Sequence, residues 1–294
     1  MTRLEWELKQ MVFHNRDGAY ATQHDRWKQL QLFAKQLTQM GYRRMQATSL
    51  RTTHVDALIN RWQTEVSGHT GQLLTAKTLK NRLSNLRWWA QKIHKQNIIP
   101  RDNVDIGVTT KTKHDVSRAK ELPDKALAEV ASPHIALSLE LQRHFGLRRE
   151  EAIKIRPLEA DHIDHIELRP SWCKGGRGRR IPITTKEQRE LLERAKELVG
   201  AQSMIPSGLN YREHLQAWKT QTRKIGLPKT HGLRHRFAQE LYQLLTGFPP
   251  PLAGGPKRAQ LSEEQRQQDR KAREMVTSVL GHSRISITNT YLGR

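Results

Sequence analysis

Thr230-His231-Gly232-Leu233-Arg234-His235, then Leu280-Gly281-His282 and, nine residues later, Tyr291, form the stretch on which the reading of this 294-residue chain turns. His231 and His235 are spaced i, i+4, so a helix would carry both on one face. With no Glu between them they are a weak zinc signal. A tyrosine hydroxyl beside arginine and histidine cations offers something else: a nucleophile next to phosphate-binding groups, the chemistry of breaking a phosphodiester. Taken alone, Tyr291 reads equally well as a packing aromatic.

The charge of the chain bears on that choice. Its formal net charge is +22 and its pI about 10.5. Residues 1–120 hold 21 Lys+Arg against 9 Asp+Glu, and the remainder 30 against 20. Both parts are basic, as two lobes gripping one polyanion would be, although an RNA-associated or membrane-surface protein could share that charge. Cys173 is the only cysteine, which excludes an internal disulfide and a Cys-based zinc site and suits a reducing cytoplasm. No apolar run approaches the roughly 18 residues of a membrane span. Met1 to Phe13 mixes charge and apolarity too early for a signal peptide. The expectation is a soluble cytoplasmic protein with no membrane partner and no small-molecule substrate, nucleoid-associated if the polyanion is DNA.

The N-terminal third reads as all-α. Trp27, Leu30, Phe33, Ala34, Leu37 and Met40 recur at helical steps, as do Val55, Leu58, Ile59, Trp62 and Val66. A third helix, about Thr75 to Gln96, turns Leu79, Leu83, Leu86, Trp89 and Ile93 inward. Its other faces hold Lys77, Lys80, Arg82 and Arg87, either a solvated face or phosphate contacts. Met1 to Tyr20 could add a short helix. Domain boundaries are expected at 1–100 and 122–294, with a linker over 101–121, where periodicity is lost.

The second domain begins near Leu122. An apolar helix over His134 to Phe145 leads into Gly146-Leu147-Arg148-Arg149-Glu150-Glu151. His165 to Arg169 and Arg180 to Ile183 read as a small antiparallel hairpin around Lys174-Gly175-Gly176-Arg177-Gly178-Arg179. That basic tip lacks the order of a nucleotide-binding loop. It reads as a DNA-touching turn, through Arg177 and Arg179, or as a solvated one. Thr185 with Gln188 forms a capping box for the next helix. Lone histidines such as His134, His144 and His165 read as structural. Gly247 to Lys257 holds four prolines and three glycines, and Ala259 to Arg273 is almost wholly polar. Residues 247–273 are therefore expected to be an exposed loop and a solvated helix. The fold class is mainly α with a small antiparallel sheet: an all-α N-terminal domain followed by an α+β domain.

Gly146-Leu147-Arg148-x-x-Glu151, Lys174 in the hairpin, His231-x-x-Arg234-His235 and Leu280-Gly281-His282-x8-Tyr291 occur in that order. Together they resemble the tyrosine recombinases, the family of phage and mobile-element integrases and Xer resolvases, from about Leu122 onward. The helical module resembles that family's core-binding domain more loosely, through Thr78-Leu79 and Leu83-Ser84-x-Leu86. The resemblance implies a site-specific recombinase acting on double-stranded DNA, working as a homo-oligomer on DNA (a tetramer, by family pattern) and needing neither metal nor other cofactor. It makes Arg148 and Arg234 the cations that grip the scissile phosphate. Tyr291 becomes the nucleophile that forms a 3′-phosphotyrosyl link. A phenol, with a pKa of about 10, needs a base or cationic neighbours, and His231 is that base. Lys174 would protonate the leaving 5′-oxygen, His282 would donate to a phosphate oxygen, and Glu151 and His235 would support the others.

Two features depart from the family pattern. Segment 247–273 lies between motifs that usually stand closer together and reads as an insertion. The sequence given also stops three residues after Tyr291, where the family tends to continue with a segment that docks on a neighbouring subunit. Two other readings share most of the features: a type IB topoisomerase that relaxes DNA without strand exchange, and a DNA-binding protein that has lost catalysis.

Overall fold

The first helix, α1 (Arg3–His14), starts where Thr2 and Glu5 cap each other, each side chain taking the other's backbone N–H. A computed structural model describes residues 1–68, 70–109 and 116–294 of the chain. They fall into two units, Met1–Thr112 and Lys113–Arg294.

In the first unit, α1 is followed by α2 (Tyr20–Gln39), α3 (Thr52–Thr64) and α4 (Ala76–Lys92). Leu8, Leu30, Phe33, Leu37, Leu58, Trp62, Leu86 and Trp89 meet in one core. The indole N–H groups of Trp62 and Trp89 are satisfied inside it by Gln36 Oε1 and the Ala47 carbonyl, at 2.8 and 2.9 Å. Helix α4 ends earlier than expected, at Lys92, because His94 takes a left-handed backbone (φ 57°) that a helix cannot continue through. Arg82, expected among the phosphate contacts, is only 7% exposed. Its guanidinium forks onto Glu65 at 2.7 and 3.1 Å and lies 5.5 Å from the Trp62 ring. The spacing explains this correction: 82, 86, 89 and 93 lie along one helical stripe, the apolar one.

Of residues 101–121, expected as a linker, 110–115 lie outside the described residues. Before them, Gln63 Nε2 donates to the Ile106 carbonyl, and Val108 is buried in the first unit's core. After them, Lys120 N donates to the Gly232 carbonyl and Gln239 Nε2 to Ser117 Oγ.

The second unit opens with α5 (Asp124–Ala128), α6 (Pro133–Phe145), α7 (Arg149–Lys154) and α8 (Pro157–Ala160). A two-stranded antiparallel sheet follows, β1 (His165–Leu168) and β2 (Arg179–Pro182), with Leu168 paired to Arg179 and Ile166 to Ile181. Then come α9 (Lys186–Val199), α10 (Tyr211–Lys224), α11 (His231–Thr246), α12 (Glu263–Val279) and α13 (Ile285–Leu292). Helix α6 is apolar on several faces because it packs between α7, α9 and α11. Ile135, Leu139, Leu141 and Phe145 are fully buried there, each worth about 1.5–3 kcal/mol. Thr185 and Gln188 do form the capping box of α9.

Segment 247–273 is exposed over much of its length, as expected, but it is anchored to the rest of the unit at several points. Residues 249–255 close into so tight a turn that a Cβ on Gly255 would lie 1.7 Å from the Pro249 carbonyl oxygen. Pro251 and Leu252 pack beside Gly293, just after α13. Residues 263–279 form one helix, capped by Ser262 and Gln265, and its charged residues Asp269 and Arg273 are 6% and 9% exposed. Partners for both charges, supplied by distant parts of the chain, explain why composition alone missed the inward turn of Asp269 and Arg273.

Candidate active site

Helix α6 ends at Gly146, whose left-handed backbone (φ 61°) turns the chain into Arg148. No other residue fits there, because a Cβ would stand 2.3 Å from the Phe237 ring. Arg148 precedes α7, and Glu151 one turn on takes the Arg148 backbone N–H and guanidinium, both at 2.7 Å. Glu151 is fully buried and also receives Arg179 through two parallel bonds of 2.9 and 2.8 Å. Burial alone would raise its pKa, but the Arg179 fork, with Arg148 and Arg234, outweighs burial and brings it down to about 2. Glu151 is a fixed carboxylate that aims Arg148.

Arg234 lies one turn into α11 and is 0% exposed. It donates to the carbonyls of Gly146, at 2.6 Å, and Leu280. These residues cap the C-terminal ends of α6 and α12, where carbonyls lack helical partners and the helix dipole is negative. One guanidinium thus pins three helices. Burial and the Arg148 charge lower its pKa to about 10, which leaves it charged at neutral pH. Its Nε has no hydrogen-bond partner. Three guanidiniums share one carboxylate here, and that surplus of positive charge calls for an anion.

Tyr291, on α13, is 6% exposed. Its hydroxyl lies 3.1 Å from His231 Nε2. The ring is stacked on His235 at 4.2 Å, is 5.0 Å from the His282 ring, and sits 5.9 Å from the Arg234 guanidinium carbon. From α11, Gln239 Nε2 holds the Tyr291 carbonyl at 3.0 Å. Burial first, then the neighbouring cations, depresses the histidines: His231 to about 4, His235 and His282 each to about 3. All three are neutral at pH 7.

The tautomer of His282 follows from its partners. Arg234 has no acceptor, so at 3.4 Å His282 Nε2 must accept, and Nδ1 carries the proton toward Thr288 Oγ1 at 3.1 Å. Thr288 pairs with Thr277 at 2.6 Å, and Thr277 donates to the Arg273 carbonyl. The hydroxyls therefore line up from His282 to α12. In this state His282 Nε2 is an acceptor; donating from it to a phosphate would require the proton to change nitrogens.

Lys174 is exposed on the turn between β1 and β2 and, among the described residues, has no hydrogen-bond or ion-pair partner. It shares a cavity of about 860 Å³ with Arg118, Lys120, Arg148, Lys229 and His231. Gly232 permits the approach of residues 118–120, since a Cβ would stand 2.3 Å from the Lys120 side chain and 2.9 Å from the Arg118 carbonyl. Among the described residues, no three His, Cys, Asp or Glu side chains converge as a metal site would require.

The eight residues expected in or beside the site thus lie in one unit, with Lys174 near the others but unbonded. The expected DNA contacts fare differently. Lys77, Lys80 and Arg177 are exposed, whereas Arg87 is tied to the Pro100 carbonyl and Asn103. Arg179, placed by the sequence reading at a DNA-touching tip, is instead inside, with a side chain 6% exposed. Its Nε donates to the Val279 carbonyl at 2.7 Å, and a Cβ on Gly281 would collide with it. Strand alternation carries the missed signal: Arg179 faces the same way as buried Ile181. Gln239 and Thr288 were also missed, and no local pattern marks them.

Residues 1–98 match the family described as phage integrase, N-terminal, and residues 107–240 match the integrase family. The second match includes Arg148, Lys174, His231 and Arg234 and ends before His282 and Tyr291. Among solved structures, the integrase of transposon Tn1549 in complex with transposon right-end DNA aligns with a TM-score of 0.60 at 14% identity, covering 100% of this chain and 95% of that one. A lambda integrase dimer bound to a core site gives 0.61 at 17%, covering 96% and 93%. The XerH recombinase bound to a palindromic difH substrate gives 0.59 at 15%, covering 99% and 81%. No curated protein matches by sequence. The motif order, the two family matches and the shared fold lead to one conclusion: the chain belongs to the tyrosine recombinase family of phage-type integrases.

Proposed function

We propose that this chain is a site-specific DNA recombinase that cuts and rejoins double-stranded DNA through a 3′-phosphotyrosyl intermediate, with Tyr291 as nucleophile. The observation that carries the reading is the Tyr291 hydroxyl 3.1 Å from the neutral His231 Nε2, beside the surplus charge of Arg148 and Arg234. The scissile phosphate binds against Arg148 and beside Arg234, whose buried Nε is left without a partner, and its oxygens are stabilised as negative charge builds on them in the transition state. The phenol oxygen forms a bond to phosphorus and its proton passes to His231. The bond from phosphorus to the 5′-oxygen breaks, and Lys174, from the open turn, protonates that oxygen. Reversal with a different 5′-hydroxyl rejoins the strand, and the covalent link conserves the phosphodiester energy. Such a protein acts where the DNA is, in the cytoplasm on the nucleoid, and several copies assemble on one DNA, as lambda integrase does in a tetramer bound to a Holliday junction.

The test uses a pool of nicked duplexes randomised around the nick, from which a cleaved strand cannot be re-ligated. Wild type is expected to leave a denaturant-resistant protein–DNA adduct on selected duplexes, and Tyr291→Phe none. An undiminished adduct from Tyr291→Phe would sink the assignment. Relaxation of a supercoiled plasmid without exchange between two selected sites would favour the topoisomerase reading.

A further inference from the structure

Helix α12 carries two charged side chains inward, Asp269 toward α11 and Arg273 toward α13. Asp269 Oδ1 accepts the Tyr242 hydroxyl at 2.6 Å and Arg273 Nε at 2.8 Å. Arg273 then reaches across α13, donating through one NH group to Asn289 Oδ1 at 2.9 Å and to the Gly293 carbonyl at 2.8 Å. Its contacts bracket Tyr291, two residues before and two after. Pro251 and Leu252 close over Gly293, where a Cβ would lie 3.0–3.1 Å from them. Helix α13 has eight residues, too few to hold a helix on propensity alone, so its place depends on what grips it. A buried ion pair is a poor source of raw stability, since apolar replacements often do as well. What this one supplies is geometry, because the rigid guanidinium fixes Asp269, Asn289 and Gly293 at once.

We propose that Asp269 and Arg273 form a latch that holds α13 so that the Tyr291 hydroxyl stays against His231 of the same chain. Arg273 is a positioning residue, and segment 247–273 is the strap that carries and covers the latch. The proposal rests on the reading of Tyr291 as nucleophile.

Arg273→Ala, Arg273→Lys and Asp269→Asn variants of the 294-residue chain test it by amide hydrogen exchange, duplex affinity and the rate of adduct formation at saturating selected duplex. In Arg273→Ala, exchange across residues 285–293 should quicken while α6 and α9 keep wild-type protection. The adduct rate should fall roughly ten- to hundredfold, as misplacement of a reacting group by about 1 Å would cause, with affinity held within about twofold. Arg273→Lys should fall between, since one ammonium can meet Asp269 but cannot span Asn289 and Gly293 as well. If Arg273→Ala does not fold, Asp269→Asn should show the same pattern more weakly. Wild-type exchange and rate in these variants would overturn the latch, as would loosening spread evenly through the unit with a matching loss of affinity. Absence of an adduct from wild type would instead strike the reading of Tyr291, and the exchange comparison would still decide whether α12 holds α13.

Discussion

Replacing Arg179 by Met separates the two roles this residue has been given. As a DNA contact at a hairpin tip, Arg179 could be lost with little change in stability. As the partner of fully buried Glu151 it could not. Against the opposing effect of burial, the Arg179 pair is the largest of the influences, with Arg148 and Arg234, that hold Glu151 from the ordinary 4.5 down to about 2, a net depression that at about 1.4 kcal/mol per pH unit sets an upper scale of about 3 kcal/mol. Breaking a buried pair from one side typically costs about 3–5 kcal/mol, which meets that scale at its lower end. Arg179→Met should therefore lower the stability of the second unit by about 3 kcal/mol, seen in urea titration at pH 7 or as a drop of roughly 6–12 °C in Tm. The sign with pH also follows. A depressed carboxylate stabilises the fold above its unfolded pKa and loses that contribution as pH falls through the folded value. Wild type keeps the Glu151 contribution down to about pH 4.5 and sheds it toward pH 2, whereas the variant, its carboxylate less well paired, should lose it at higher pH. A loss under about 1 kcal/mol together with a weakened salt dependence of DNA binding would refute the buried assignment and restore the DNA-contact reading.

Three further expectations follow from the same geometry. His231, His235 and His282 have folded pKa values lowered to about 4, 3 and 3 from 6.5, so they stay neutral in the fold and gain protons on unfolding; stability should fall as pH drops below about 6.5, at up to about 1.4 kcal/mol per pH unit for each. Denaturation midpoints from pH 7 to 4 check this, and His235→Phe should flatten part of the slope; a midpoint independent of pH over that range would contradict it. Lys77→Ala and Lys80→Ala should each reduce the log–log salt slope of DNA binding by about 0.9 if they neutralise a phosphate, whereas Arg82→Ala should lower stability by about 1–3 kcal/mol through the stranded Glu65; the reverse pattern would mean that the first unit's surface has been misread. Gly232→Ala forces the 118–120 segment off the start of α11 and should abolish the adduct while circular dichroism stays near native; full activity would show that this close approach is dispensable.

The candidate site residues were legible because their motif order along the chain resembles that of the tyrosine recombinases, whereas Tyr291 by itself reads equally well as a packing aromatic. Helices α2, α3, α6 and α9 were legible for the same reason, since their apolar periods and the Thr185–Gln188 cap depend only on neighbours in the chain. What the tertiary structure alone decided is which distant partner each inward charge meets. Arg82 meets Glu65 seventeen residues away, Arg179 meets Glu151 twenty-eight away, and Arg273 meets Gly293 twenty away. Each lies in a stretch whose composition reads as surface, and each is buried because a remote carboxylate or carbonyl offsets the cost of removing its charge from water. The tautomer of His282 and the two helix ends pinned by Arg234 belong to the same class, since they depend on which groups converge. Motif order and the resemblance it carries picked out the candidate reactive groups; long-range pairing determined which cations face the solvent and which hold the site together.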